Sequence, residues 1–355
     1  MKQLLRIIAA IIALIVVVAA GYAAYVFIAY YRVEDKLDLT VENVSGKIPE
    51  PETEYTLTTF NIGYGAYSTD YSFFMDGGIY SRAFDKAAVI TNMNGAIGVI
   101  SELDPDFAFF QEVDTDATRS YHVDEYSMLR ESFDSYSSVL AMNYDSPYLL
   151  YPVSEPIGKS VSGIATLSKY TISSSLRRSL PLESGLRKLL DLDRCYSVTR
   201  IPVSNGKELI LINVHLSAFT ADVTIGEAQL KMLFEDAQLE YDKGNYVIIG
   251  GDFNKDLLGS SPEIFGTTGE VPNWAKPLNT ELVPDSFTVV RPENMADILP
   301  TLRSADSPYV EGVSFVSVLD GFIVSENVEV VSIKHIPAGF TYSDHNPVLL
   351  RFKFS

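Results

Sequence analysis

Two polar residues directly follow a strongly apolar stretch of the 355-residue chain. The run 246–249, YVII, leads through two glycines to Asp252 and Asn254. Four consecutive apolar or aromatic residues are typical of a strand buried on both faces, and the glycines let the chain open into a loop. In sheets covered by helices, ligands and metals bind at the carboxyl ends of strands. The sequence therefore predicts a functional site at the end of this strand.

Six further polar residues stand at the ends of other predicted strands or within them. They are Asn61, Glu112, His215, Asp320, Asp344 and His345. Each has an ordinary explanation when it is taken alone, because Asp and Asn favour turns and a lone histidine is more often a structural partner than a catalyst. As a set, they combine hard oxygen donors that suit Mg²⁺ with two imidazoles that can transfer protons.

The elements that must position these residues alternate between strands and helices. Apolar or alternating runs predict strands over 55–60, 107–110, 135–142, 163–168, 194–203, 208–214, 246–249, 313–324, 328–333 and 348–354. Helical spacing predicts helices over 81–103, 118–133 and 222–241, the last with Thr220 as its N-cap. Loops are predicted over 64–79, 143–162 and 257–299. The pattern indicates an α/β fold without choosing among α/β architectures.

Five motifs occur in an order that resembles the endonuclease/exonuclease/phosphatase superfamily, which includes deoxyribonucleases, inositol-polyphosphate 5-phosphatases and neutral sphingomyelinases. They are FNIG around Asn61, QEVD around Glu112, NVHLS around His215, GDFN at 251–254 and SDHNPV at 343–348. GDFN alone would be a weak signal, whereas five motifs in order across residues 55–355 are a specific one. The resemblance implies a four-layered α/β sandwich, in which two packed mixed β-sheets are flanked by helices.

The resemblance also implies roles for the metal-binding and water-activating positions. Asn61 and Glu112 would hold Mg²⁺, or Mn²⁺ in its place, with Glu112 as the central ligand. Asp344 would be a second metal contact or a support for the site. Asp252 would orient or deprotonate the attacking water, and Asn254 would help to bind the phosphate.

The two histidines of the motifs would bracket the scissile phosphate. His345, polarised by Asp320, and His215 would stabilise its charge. A divalent cation neutralises an anionic phosphoester while a neighbouring base generates hydroxide, so in-line attack of water without a covalent intermediate is expected. Many relatives have an aromatic residue after the Asp of the penultimate motif, where this chain has Gly321, and looser packing is expected there.

The first 32 residues form a separate unit. Lys2 and Arg6 precede residues 7–31, which carry no charge and are numerous enough to cross a hydrocarbon core of about 30 Å. A cleaved signal peptide is the competing interpretation, but its apolar region is usually shorter, and tyrosines cluster at the far end of this run. The sequence favours an uncleaved single-pass anchor. The N-terminal amine and the lack of a later span favour an outward-facing body at the cell membrane.

The rest of the chain divides into a polar segment, 33–54, predicted to be a linker, and a catalytic domain, 55–355. The formal net charge of −19 repels polyanions, so duplex nucleic acid is a disfavoured partner unless divalent ions intervene. The single Cys195 cannot form an intrachain disulfide and is expected to be a buried apolar residue. A monomer is expected.

Three functions remain open at this point. The first is a Mg²⁺-dependent phosphodiesterase or phosphatase that acts on a small or lipid-linked phosphoester. The second is a Mg²⁺-dependent endonuclease of the same fold, which the acidic charge disfavours. The third is a catalytically silent binding module on a membrane stalk, which the complete set of polar residues disfavours.

Overall fold

The computed structural model describes residues 1–182, 192–218, 223–266, 271–272 and 274–354. The predicted N-cap Thr220 lies outside them. The α-helices are α1 (Lys2–Ala29), α2 (Lys86–Leu103), α3 (Glu125–Ser132), α4 (Val223–Asp242) and α5 (Ser261–Phe265). The strands are β1 (Leu37–Asp38), β2 (Tyr55–Asn61), β3 (Phe107–Asp114), β4 (Ser137–Leu149), β5 (Gly158–Ser168), β6 (Ser174–Ser179), β7 (Cys195–Pro202), β8 (Glu208–His215), β9 (Tyr246–Asp252), β10 (Phe287–Val289), β11 (Leu302–Arg303), β12 (Val316–Ser317), β13 (Asp320–Ser325), β14 (Val328–His335) and β15 (Val348–Phe354).

Two large mixed sheets dominate the architecture. One has the strand order β14-β15-β2-β3-β5-β4, and the other has the order β1-β6-β7-β8-β9-β13-β10. In each sheet one central pair is parallel, β2 with β3 and β8 with β9, while neighbours such as β9 and β13 are antiparallel. The central strands are buried along nearly their whole length, which explains their continuous apolar sequences.

The sheets pack face to face, and each covers its outer face with helices. Leu57 and Phe109 of one sheet lie in the same apolar cluster as Leu211, Ile248 and Phe322 of the other. A second cluster joins α2 to the outer face of the first sheet, and a third joins α4 to the outer face of the second sheet. The predicted four-layered α/β sandwich is confirmed.

Two of the predicted helices begin later in the chain than expected, because an aspartate caps the N-terminus of each one. Asp85 accepts a hydrogen bond of 2.7 Å from the amide of Ala88, so α2 begins at Lys86 and not at residue 81. The prediction of a helix over 118–133 is wrong for its first half. There Asp124 accepts from the amide of Ser127 at 3.0 Å, and only α3 is helical.

The predicted loop 143–162 is largely wrong, because β4 and β5 continue through it as a long hairpin. Their pairing extends to Leu149 opposite Gly158. Pro147 lies where the register shifts between Ser146 and Leu149, and β4 is the edge strand of its sheet. An edge strand tolerates a proline at a bulge, since no ladder hydrogen bond is lost there.

Some other predicted boundaries also change. The strand predicted over 313–324 is interrupted between β12 and β13, where the carbonyls of Val318 and Leu319 accept from the loop after β9. The described part of the irregular stretch 257–299 contains the short helix α5 and 3₁₀ turns, as expected, and also the strand β10, which was not predicted. Cys195 is buried and unpaired.

Helix α1 is long and apolar enough to cross a membrane. The polar segment that follows it lies along the catalytic body. Within it, β1 pairs with β6, and the backbone of Glu42 exchanges hydrogen bonds of 2.8 and 2.9 Å with that of Ser138. These contacts fix the path of the chain between α1 and β2.

Candidate active site

The sheet registers bring the predicted polar residues to one edge of the sandwich. His215 at the end of β8 lies beside Asp252 at the end of β9, and Asp252 lies opposite Asp320 at the start of β13. In the other sheet, Asn61 ends β2 beside Gln111, the neighbour of Glu112. Strand direction and pairing therefore place these side chains at a common edge.

Asp252 stands at the centre of this group and is almost fully buried. Its Oδ2 accepts a hydrogen bond of 3.0 Å from Nδ2 of Asn61, which joins the two sheets. Its Oδ1 accepts from the backbone amide of Asn254 at 2.8 Å. The Nε2 atoms of His215 and His345 lie 3.5 and 3.8 Å from Oδ2. Asp252 thus contacts most of the residues that sequence reasoning singled out.

His345 and Asp320 form a buried pair. Nδ1 of His345 lies 2.8 Å from Oδ2 of Asp320. Burial lowers the pKa of His345, but the charge and hydrogen bond of Asp320 outweigh that effect and raise it to about 10. The imidazole is therefore cationic at neutral pH, with Nε2 directed toward Asp252.

His215 has the opposite electrostatic character. Burial, together with the positive charges of Arg194 and His345, holds its pKa well below the usual value. Its Nδ1 is buried without a hydrogen-bond partner among the described residues. A neutral imidazole at this position can donate or accept a proton without carrying a permanent charge.

Glu112 lies where β3 bulges, and its backbone has φ of +56°, which is uncommon for a non-glycine residue. Its Oε1 lies 3.7 Å from Nε2 of His215, while its Oε2 is buried and has no hydrogen-bond partner within the described part of the chain. Burial and the nearby carboxylate of Asp344 raise the pKa of Glu112 to about 8. A strained, buried carboxylate with a free oxygen suits a cation ligand.

Asp344 is held beside this carboxylate by its neighbour Ser343. The Ser343 hydroxyl donates to the carbonyl of Asn61 at 2.8 Å and lies 3.3 Å from Oδ1 of Asp344. Burial also raises the pKa of Asp344. Two buried carboxylates whose pKa values are both raised form a site that a divalent cation would stabilise.

A second grouping of possible ligand atoms is formed by Asp252, Asp320 and His345, whose ligand atoms lie within 4.8 Å of one another. Asp320 and His345 already bond to each other, so their facing atoms are occupied. Glu112 offers an oxygen that has no partner in the described ranges, so the donor set of Glu112, Asn61 and Asp344 fits a divalent metal better.

Asn254 is held in the left-handed region, with φ of +48°. Its Nδ2 donates to the carbonyl of Leu216 at 2.8 Å and lies 3.4 Å from Oδ2 of Asp252. The amide group therefore links the ends of β8 and β9 and fixes the loop that follows Asp252.

The packing expectation for Gly321 is wrong. A Cβ at this position would lie 2.7 Å from Cδ1 of Leu257, so that side chain already fills the space next to Gly321, on the face of β13 opposite to the Asp320 side chain. Asp320 is fully buried. A larger residue after Asp320 would require Leu257 to move.

Three residues near the site were missed by sequence reasoning. Ser343 fixes Asn61 and the loop of His345, and it was visible only as part of the SDH motif. Lys255 directly follows Asn254 and bonds to two backbone carbonyls, and burial lowers its pKa to about 8. Arg194 is buried, and its Nε and Nη1 have no partner among the described residues. No motif in the sequence pointed to Arg194.

Comparison with known proteins agrees with the fold. The model of the Endonuclease/Exonuclease/phosphatase family matches residues 58–345, and the chain belongs to this family. Members of the family include phosphodiesterases, phosphatases and nucleases that cleave phosphoesters. None of the curated proteins compared matches the sequence significantly.

Several solved structures share the fold at low sequence identity. An endonuclease/exonuclease/phosphatase from Beutenbergia cavernae is 15% identical, with a TM-score of 0.55 over 85% of this chain and 72% of its own. ANGEL2, described as a 2′,3′-cyclic phosphatase, is 15% identical, with a TM-score of 0.56 over 90% of this chain and 99% of its own. The human Nocturnin catalytic domain is 15% identical, with a TM-score of 0.53 over 89% of this chain and 98% of its own.

Proposed function

We propose that the protein is a divalent-metal-dependent phosphoester hydrolase, with Mg²⁺ as the cofactor and Mn²⁺ as a substitute. The observation that carries the proposal is the arrangement around Asp252. A buried carboxylate contacts Asn61, a neutral His215 and a cationic His345, beside the free carboxylate oxygen of Glu112. Such a group of acids, bases and positive charge suits the hydrolysis of an anionic ester.

Glu112, Asn61 and Asp344 are the residues that would hold the cation. When bound, the metal would neutralise charge on the phosphoester and favour ionisation of water. The Glu112 carboxylate would be the central ligand because its Oε2 has no other partner among the described residues. Asn61 is fixed by the bonds of Nδ2 to Asp252 and of Oδ1 to the amide of Gly63, so its orientation is set in advance.

The remaining residues would act on water and phosphate. Asp252 would accept a proton from the attacking water, since Oδ2 of its buried carboxylate lies within 3.8 Å of Nε2 of both His215 and His345. His345, held cationic by Asp320, would stabilise charge on the phosphoryl oxygens. His215, which is neutral, would act on the opposite side, and Asn254 would help to bind the phosphate. In-line attack of water requires no covalent intermediate.

The proposed substrate is a small or lipid-linked phosphoester. The net charge of −19 disfavours a long polyanion, and the apolar helix α1 favours a location at a membrane. Residues 1–32 would be an uncleaved anchor, 33–54 its connection, and 55–355 an outward-facing, monomeric catalytic domain at the cell membrane.

The full chain in detergent micelles can be tested with Mg²⁺ against plasmid DNA, phospholipid vesicles and chromogenic phosphomonoesters and phosphodiesters. His345→Ala is expected to lose about 10² to 10⁴ of the rate on the preferred substrate. His122→Ala is the matched control, because His122 is exposed and pairs with Asp116, which is not one of the candidate site residues. Equal rates for the two variants would contradict the proposal, and faster cleavage of DNA than of the other esters would identify a nuclease.

A further inference from the structure

The turn between β4 and β5 carries an uncharged, apolar sequence at the surface. We call residues 148–153, YLLYPV, the hairpin tip. The exposed fractions are 47% for Leu150, 60% for Tyr151 and 87% for Val153. Single exposed apolar residues are ordinary, but neighbouring ones at the end of a projecting hairpin indicate an interaction surface.

A second segment extends this apolar surface. The ring of Phe74 contacts that of Tyr151, with centroids 5.8 Å apart. Next to it, Met75 and Ile79 are 55% and 76% exposed. The nearby carboxylate of Glu155 accepts from the amide and hydroxyl of Ser81 instead of pointing to the surface. The combined face therefore presents mainly hydrocarbon and aromatic groups.

The hairpin tip lies against the apolar helix α1. The Tyr22 hydroxyl accepts from the amide of Leu150 at 2.8 Å, and the Tyr25 hydroxyl accepts from the amide of Tyr148 at 3.1 Å. Tyr22 and Tyr25 precede the end of α1 at Ala29 by about 10 and 6 Å along the helix axis. A helix that crosses a bilayer would thus hold the hairpin tip at the depth where headgroups meet acyl chains.

A buried arginine fixes the chain where it leaves α1. Nη1 of Arg177 donates to the carbonyls of Val33 at 3.3 Å and Glu34 at 2.9 Å. Arg32 also pairs with Asp193 at 3.1 Å. These bonds and those of the two tyrosines attach the body to α1 at two separate places, which sets its orientation relative to the helix.

The hairpin tip projects from the same edge of the sheet that holds the candidate active site. Along β5, Ser162 pairs with Asp114, two residues after Glu112, whereas Gly158 pairs with Leu149. Four residues of strand correspond to about 13 Å, so the hairpin extends beyond Glu112 by at least this distance. A surface that contains the hairpin tip therefore lies on the site side of the molecule.

We propose that the hairpin tip and residues 74–79 form a membrane-contact surface, which enters the interface of the bilayer crossed by α1 and turns the candidate active site toward the lipid headgroups. The contacts with α1, the uncharged sequence of the hairpin tip and the exposed aromatic and aliphatic side chains favour a lipid bilayer as the occupant. The one acid of residues 74–79, Asp76, is half-buried, and burial raises its pKa to about 7. Attachment of the body by the hairpin tip would keep the site close to the membrane surface.

Tryptophan fluorescence in nanodiscs that contain one copy of the full chain tests this proposal without using enzymatic activity. The only tryptophan is first removed by Trp274→Phe. Val153→Trp then reports on the hairpin tip, Val16→Trp reports on α1, and Val331→Trp on β14 is the matched exposed control. Each is compared in ordinary lipids and in lipids brominated in the acyl chains.

Val16→Trp and Val153→Trp are both expected to lose about half or more of their fluorescence to the brominated lipids, whereas Val331→Trp is unaffected. A tip reporter that is not quenched overturns the proposal, whether or not α1 is quenched. A tip reporter with blue-shifted emission but no quenching also overturns it, because protein and not lipid would then cover the surface. Quenching of Val331→Trp equal to that of Val153→Trp overturns the specific orientation.

Discussion

The carboxylate of Glu112 has a buried Oε2 that finds no hydrogen-bond partner among the residues the structure describes. Glu112→Gln keeps the shape of the side chain and removes its charge. We expect Mn²⁺ affinity of the full chain, measured by titration calorimetry, to fall at least about tenfold. Glu329→Gln, at an exposed residue paired with Lys353, should leave the affinity unchanged. Unaltered binding in Glu112→Gln would place the metal elsewhere.

The same titration has an expected pH dependence. The pKa of Glu112 is raised to about 8 by burial and by Asp344, so in the metal-free protein the proton is bound below this pH. The cation must displace that proton, and affinity should therefore increase as pH rises toward about 8 and then level off. Glu112→Gln should weaken this dependence.

Asp320 controls the charge of His345, and its removal should change the pH profile as well as the rate. In the wild type the pKa of His345 is about 10, so the imidazolium persists across neutral pH. In Asp320→Asn the largest raising charge is lost, while burial still lowers the pKa of His345 and the charges of Asp344 and Asp252 still raise it. The imidazolium should therefore lose its proton at a lower pH than in the wild type. We expect kcat of the variant to fall between pH 6 and 9, relative to the wild type. A uniform decrease at all pH values would contradict this role.

At the residue level, the candidate site residues were predictable because each lies in a short motif next to an apolar strand. The side chains of the eight predicted residues lie together at one edge of the sandwich. Their catalytic and metal-binding roles stay predictions. Arg194 was not predictable, since nothing in DLDRCYS signals that Nε and Nη1 of its guanidinium would be buried with no partner among the described residues. Burial of this kind depends on the packing of separate segments.

At the scale of elements, helix α2 positions the loop that carries His345. A Cβ at Gly95 would lie only 2.3 Å from Cε1 of Tyr342, which precedes Ser343. Gly98, one turn later, has nothing within 4 Å of such a Cβ and provides a matched control. Comparing an alanine substitution at each of the two glycines therefore separates the effect of helix propensity from the effect of contact with the loop that carries His345.

Gly95→Ala should displace Tyr342, destabilise the protein by about 1 to 3 kcal/mol and lower kcat. Gly98→Ala should raise the free energy of unfolding by up to about 1 kcal/mol and leave kcat unchanged. Urea unfolding and initial rates measure both quantities. Identical behaviour of the two variants would show that close packing of Gly95 against Tyr342 does not position the loop.

The long β4–β5 hairpin shows why some elements could not be predicted. Prolines at 147, 152 and 156 indicate a loop when only sequence is considered. Pro147 is tolerated because it lies at a register shift on an edge strand, which is a property of the assembled sheet. By contrast, β7 and β8 were predictable, since local alternation and the turn at 204–206 define that hairpin.

On the scale of the whole molecule, local patterns indicated strands and helices but not their layers. The face-to-face packing of two mixed sheets arises from contacts between distant segments, such as Leu57 with Ile248 in one cluster. Motif order supplied the architecture through resemblance to a family. Length and apolar composition were sufficient to predict α1 as a helix that could cross a membrane.

The fate of α1 distinguishes an anchor from a signal peptide. We expect a chain with an N-terminal tag to be recovered at full length in the membrane fraction after alkaline carbonate washing, because 28 helical residues extend about 42 Å and exceed the hydrocarbon thickness. The tag should stay attached to the catalytic body. A shorter, soluble body without the tag would show cleavage.

Hydrolysis of a chromogenic phosphodiester by the full chain, with and without divalent cations, tests the central claim most directly. The wild type should be active with Mg²⁺ or Mn²⁺ and inactive in excess chelator, and Asp252→Asn should lose at least about 10² of the rate while still folding. Asn at this position retains the size of the side chain beside Asn61 but cannot accept the water proton. Hydrolysis that persists in chelator, or at the wild-type rate in Asp252→Asn, would contradict the account.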